Sequence, residues 1–219
     1  MEKQEVIVDT CFLQKITSDG LFLDNVKRVL DELGFVPVVN KYVADQEFQL
    51  KRYMTELVNN GYIKVVGYDE YIKDETDRII YEDYFEQLYY EMKGYLEAKG
   101  GPKQMPPLNI PQDQSVFTAH ISGSSMGDIH MILMAAYMRL PIILTEDSDI
   151  ELLRNMAKRR LSMSSYQLEI YDVVDLVRNI AKKEDRSLSR KDLKLIIRQV
   201  GEKGRWTEIM EILDASGGV

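Results

Sequence analysis

Cysteine is nearly absent. Cys11 is the one cysteine in 219 residues, so no internal disulfide is available and a reducing, cytoplasmic setting is expected. Long apolar runs are missing as well: nothing approaches the roughly 20 apolar residues that span a bilayer. The opening Met1-Glu2-Lys3-Gln4-Glu5 has no apolar signal core behind it, and a soluble chain with no membrane partner is the expectation. Positive charge is in deficit, 28 Lys and Arg against 36 Asp and Glu for a net charge of −8, which argues against a surface that binds polyanions everywhere. A local basic patch is compatible with that balance, and acids gathered around a metal ion would add to the deficit. The Gly/Ser stretch Ser122 to Gly127 lacks the lysine and the spacing of a Walker phosphate loop and reads as an approach to the next helix.

What the chain does have is alternation. Short runs that read as strands (Val6 to Val8, the Phe35 to Val39 run, about Tyr62 to Val66, Leu140 to Leu144, and Gln167 to Tyr171) alternate with helical spacings at 21–33, about 41–59, about 128–139, 150–160 and 173–183. That order predicts an α/β fold, a central mostly parallel sheet covered on both faces in a three-layer α/β/α arrangement with helical additions. If the Phe35 to Val39 run is a strand, Pro37 favours an edge or an end for it. The domain boundaries expected are 1–183 for the main domain, with a helical and loop insertion at about 68–114, and 184–219 for a C-terminal helical hairpin opened by the capping pair Ser189 and Asp192. With 45% hydrophobic residues the chain can bury a sizeable core. Residues 100–114, punctuated by glycines and prolines, read as a loop long enough to be functional.

Two strands end in acids. Val6-Ile7-Val8 is followed by Asp9 and Thr10, and Ile142-Ile143-Leu144 by Thr145, Glu146, Asp147, Ser148 and Asp149. The C-terminal edge of an open α/β sheet is where ligands bind. Glu47 falls in line with the apolar stripe Val43, Leu50, Met54 and Leu57 of the second helix, whereas Asp45 sits on its water-facing side; Asp128 opens a later helix. Oxygen donors from separate elements on one edge suit Mg2+ or Mn2+. Each acid also has a plain structural reading: Asp128 as a helix cap, Asp147 and Asp149 as acids favoured at a helix start. Met126, Met131, Met134 and Met138 read as core filling, His130 as a satisfied structural histidine, and Cys11 as a small buried apolar group. Arg154, Lys158, Arg159 and Arg160, with Lys182 and Lys183, form the clearest basic cluster. It reads as a solvated helix face or as a grip on an RNA backbone.

At Val6-Ile7-Val8-Asp9-Thr10, the inward Glu47, Gly127-Asp128-Ile129-His130 and Thr145-Glu146-Asp147-Ser148-Asp149, the chain resembles the PIN-domain family of metal-dependent nucleases, in the right order over about residues 5–175. By that resemblance Asp9, Glu47, Asp128 and Asp147 would be the metal-binding acids, with Asp149 a supporting or alternative ligand and Thr145 orienting a carboxylate or water. The activity implied is hydrolysis of RNA phosphodiesters by a metal-activated water, with no protein nucleophile. A protein partner such as an antitoxin, and a homo-oligomer, are compatible with it. A haloacid-dehalogenase-type phosphatase would need a second Asp where Cys11 stands, and a toprim-like site would need Glu in place of Asp9. The rival of another class is a non-catalytic PIN-like module that binds RNA or protein.

Overall fold

The computed structural model describes residues 3–100, 104–160 and 167–216, and among these it contains five strands and ten α-helices. The strands are β1 (Gln4–Val8), β2 (Phe35–Asn40), β3 (Lys64–Val66), β4 (Ile142–Leu144) and β5 (Glu169–Tyr171). Every pairing is parallel, in the order β3-β2-β1-β4-β5. Val6, Ile7, Val8, Ile143 and Leu144 are wholly buried, as continuous apolar strands in a parallel sheet require.

Helices cover both faces. On one lie α1 (Thr10–Thr17), α2 (Asp24–Leu33) and α8 (Val173–Ala181), packed on one another; on the other lie α3 (Lys41–Gln46), α5 (Glu75–Lys99), α6 (Met126–Met138) and α7 (Asp149–Arg160). The result is the three-layer α/β/α arrangement expected. Helix α6 is apolar nearly all round because it runs between the sheet and α5: Met131 and Met134 are fully buried and Met126 nearly so. Helices α9 (Arg190–Gln199) and α10 (Trp206–Ser216) pack on α1 and α8, and the segment before them is tied down by Glu32, which accepts from Lys183 Nζ at 3.1 Å and from the Ser187 backbone N–H.

Two expectations need correction. Strand β2 is interior, not an edge. Pro37 is tolerated there because it pairs with Val6 of β1 while β3 begins only opposite Val38, so no ladder partner faces the proline on the β3 side. The 41–59 helix is two helices, α3 and α4 (Arg52–Asn59), separated by a 3-10 turn at Phe48–Leu50 and by Lys51 in extended backbone. The stripe does not run through the break: Phe48 is buried in the turn, while Leu50, expected to face inward, points to solvent. The acidic segment after Tyr68 is one 25-residue helix, α5, capped by Asp74 and closed by Gly100 at φ 66°.

Candidate active site

The strand order reverses direction between β1 and β4, and the candidate acids lie at that switch point, on the C-terminal edge. Asp9, leaving β1, caps α1: one carboxylate oxygen accepts from the Thr10 N–H at 2.6 Å. Its other oxygen receives the Thr145 hydroxyl at 2.7 Å, from the end of β4, and the Cys11 thiol at 2.6 Å. One carboxylate thus joins two strand ends 136 residues apart in sequence. Thr145 Oγ1 also accepts from the Asp147 N–H at 3.0 Å, and Asp147 Oδ1 accepts from the Asp149 N–H at 2.8 Å, so Asp147 closes the turn that starts α7.

Glu47 arrives from the other side. Its Oε2 accepts from the Thr10 hydroxyl at 2.5 Å, while Oε1 lies against Gly127: a Cβ added to that glycine would stand 2.5 Å from it. Gly127 is the second residue of α6 and Asp128 the third, so Asp128 is in the first turn and Ser125, not Asp128, occupies the cap position. Thr10 therefore bridges Asp9 and Glu47, and Glu47 bridges the end of β1 and the start of α6. Asp128 shares a cavity wall with Glu47, and Asp149 is the first residue of α7. Among the described residues, no group of three His, Cys, Asp or Glu side chains closes to metal-ligand spacing.

The electrostatics follow from burial. Asp9 is nearly inaccessible, and its pKa is raised first by desolvation and further by the charge of Asp147, against the lowering effect of its Cys11, Thr145 and Thr10 hydrogen bonds. Glu47 is raised by desolvation, opposed by the Thr10 hydrogen bond and reinforced by Asp9. Among the described residues, the largest influences on either carboxyl include no Lys, Arg or His. Two neighbouring acids that repel each other have the oxygen chemistry that a hard divalent ion such as Mg2+ or Mn2+ takes, but among the described residues Asp9, Glu47, Asp128 and Asp147 do not close to ligand spacing around one. Cys11 is pushed far above the usual thiol range by burial and by the Asp9 charge, which favours the protonated thiol that donates to Asp9.

Beside the acids lies a cavity of about 470 Å³, walled by Tyr42, Gln46, Glu47, Gln104 and residues 120–128. Its loop wall is pinned from behind. The Tyr42 hydroxyl donates to the Ala119 carbonyl at 2.9 Å, and Ser124 bonds Ile121 within the loop. His130, fully buried, meets the Val116 carbonyl through Nε2 at 2.9 Å and the Tyr81 hydroxyl through Nδ1 at 2.7 Å. Because a carbonyl can only accept, Nε2 carries the hydrogen and Nδ1 accepts from Tyr81. Burial lowers the His130 pKa to about 3. This histidine is an anchor for the loop, ringed by Tyr42, Tyr68, Tyr81, Phe85 and Phe117.

Sequence reasoning missed Cys11, whose sulfur donates to Asp9 and accepts from the Glu146 N–H at 3.1 Å instead of serving as a plain apolar filler. It also missed the cavity residues Gln46, Gln104 and His120, which carry no motif. Thr10 and Gly127 stood inside the quoted motifs, and a threonine directly after a strand-end acid was the signal available. The basic cluster disperses: Arg159 pairs with Glu91 at 2.6 Å, Lys183 with Glu32, and Arg154 donates to the Leu168 carbonyl at 3.4 Å, while Lys158 and Lys182 face solvent. The Arg160 side chain lies outside the described residues. Asp45 is exposed and pairs with Lys41 at 2.9 Å.

No protein-family model and no curated protein matches the chain. Among solved structures, the tyrosyl-tRNA synthetase from Aeropyrum pernix is similar at a TM-score of 0.40 and 12% identity, over 100% of this chain and 91% of that one. A likeness of that size carries no argument about activity. No helix among the described residues is long and apolar enough to cross a membrane.

Proposed function

We propose that the chain is a PIN-like, divalent-metal-dependent ribonuclease that hydrolyses RNA phosphodiester bonds. The observation that carries the reading is the meeting of Asp9 and Glu47 through Thr10, with Asp147 beside Asp9, at the sheet's switch point and with no Lys, Arg or His among the largest influences of the described residues on the first two. Asp9, Glu47, Asp128 and Asp147 are the residues to hold Mg2+ or Mn2+, with Asp149 supporting Asp147 through its backbone N–H. A bound divalent ion supplies positive charge that activates water and offsets the charge on the phosphate under attack.

The chain's own residues do the positioning. Thr145 and Cys11 hold one Asp9 oxygen, the Thr10 N–H holds the other, and the Thr10 hydroxyl aims Glu47. Burial and the Asp9 charge favour the protonated Cys11 thiol in that donor role. A cytoplasmic, RNA-directed hydrolase without a membrane partner is the reading that joins these features. The test is cleavage of a fluorescent single-stranded RNA in Mn2+ by the parent, Asp9→Asn and Asp147→Asn proteins. Activity lost in both variants supports the enzyme; cleavage unchanged in both removes it. A second reading, a non-catalytic PIN-like RNA- or protein-binding module, is favoured by the absence of a closed three-acid group among the described residues. It predicts no cleavage by any of the three proteins.

A further inference from the structure

The cavity next to Glu47 has a composition that the hydrolysis itself does not need. At about 470 Å³ it falls within the usual range of small-molecule sites, roughly 300–1,000 Å³. Two carboxylates, Glu47 and Asp128, stand at one end. The rest of the wall mixes polar groups, the amides of Gln46 and Gln104, the His120 imidazole and the serines of the 122–125 loop, with the apolar surface of Tyr42, Ile121 and Met126. None of the described lining residues is Lys or Arg. A phosphate in this cavity would meet the negative charge of Glu47 and Asp128 with no Lys or Arg among the described lining residues, which is unfavourable at short range. A flat, uncharged group rich in donors and acceptors would find matching partners.

The wall is also preformed. Tyr42 pins Ala119 and His130 pins Val116 from the protein interior, so the loop does not have to be ordered at the moment of binding. Single-stranded RNA offers such a group beside every phosphate, because an unpaired base exposes its Watson–Crick edge, and a single side-chain amide, with a donor and an acceptor, can read a base edge by two hydrogen bonds at once. We infer that this cavity holds one unpaired nucleoside of the substrate, adjacent to the phosphate at the acids, and that Gln46 and Gln104 read its base. The inference rests on the ribonuclease reading for the neighbouring phosphate but makes its own claim about binding.

Neutral nucleosides separate the two claims, since they carry no phosphate and undergo no hydrolysis here. Adenosine, cytidine, guanosine and uridine are titrated one at a time into the full chain in EDTA and followed by saturation-transfer NMR, with ribose 5-phosphate as the contrasting probe. The expected result is binding of at least one nucleoside in preference to the others, weakened about tenfold or more by Gln46→Ala or Gln104→Ala. Gln46 is half-buried and Gln104 exposed, so folding is kept, and an unchanged melting temperature verifies it. Binding that neither substitution alters, binding of ribose 5-phosphate alone, or no nucleoside binding at all overturns the inference. Selective nucleoside binding by a protein that fails to cleave RNA upholds the cavity assignment and discards the nuclease; cleavage with no nucleoside preference does the reverse.

Discussion

Gly127→Ala is the most discriminating perturbation of the proposed site. Gly127 lies in ordinary helical backbone at the start of α6, where alanine would by itself favour the helix by about 1 kcal/mol. Its added methyl would arrive 2.5 Å from Glu47 Oε1 and 3.4 Å from Val43 Cγ2. Contacts below 3.0 Å essentially never occur at a real Cβ, so the carboxylate must retreat by at least about 0.5 Å, and by about 0.9 Å to reach ordinary contact at 3.4 Å. The retreat is cheap in stability because a carboxylate is the flexible end of its side chain. It is expensive in function if Glu47 holds the ion, since a displacement near 1 Å costs up to roughly 10²-fold in rate. The expected outcome is a 10- to 100-fold fall in kcat for RNA cleavage in Mn2+ with a melting temperature that is unchanged or raised by about 2–4 °C. In a Glu47→Ala background the same glycine substitution should leave the residual rate alone, because no carboxylate remains to be displaced. A Gly127→Ala protein cleaving within about twofold of the parent would refute the role given to Glu47.

Asp9→Asn keeps a good helix cap, so it should fold normally while losing on the order of 10²-fold or more in cleavage rate, as measured under single-turnover conditions. Mn2+ at 100 times its dissociation constant should stabilise the parent by about 2.7 kcal/mol and the Asp9→Asn protein far less, read by urea unfolding with and without EDTA; equal stabilisation of both counts against the site. His130 is neutral in the fold down to about pH 3, whereas an unfolded histidine takes its proton near 6.5, so stability should be lost as pH falls through that window, by at most about 1.4 kcal/mol per pH unit for this one group. His130→Gln should be less stable at pH 7 and show a shallower pH dependence; the same slope in both proteins would be the contrary result. Tyr42→Phe leaves the buried Ala119 carbonyl without its donor and should cost about 1–3 kcal/mol in urea unfolding.

Much of the frame was legible because it is local. Val6 to Val8 and Ile142 to Leu144 are apolar without a break, which only a strand buried on both faces tolerates, and each runs into acids. Gly34 at φ 71° and the Ser189–Asp192 capping pair mark helix ends by chemistry that needs no distant partner. Local signals failed where a neighbour decided the outcome. Pro37 is acceptable inside the sheet only because β3 starts one residue too late to face it, and the break after Gln46 is fixed by the burial of Phe48 in a turn.

By itself the sequence determined which residues are apolar, where helices can begin and end, and that carboxylates follow two strands, because these depend on side chains a few positions apart. The tertiary structure alone decided that Thr10 would reach Glu47, that Cys11 would donate to Asp9, that Gly127 would make room for the Glu47 carboxylate and that a polar cavity would open beside it. The Thr10–Glu47 contact joins residues 37 apart, and the Thr145–Asp9 bond that fixes the same carboxylate as Cys11 joins residues 136 apart. Their distances are set by the order of strands in the sheet and the packing of α3 against α6, which no local spacing encodes.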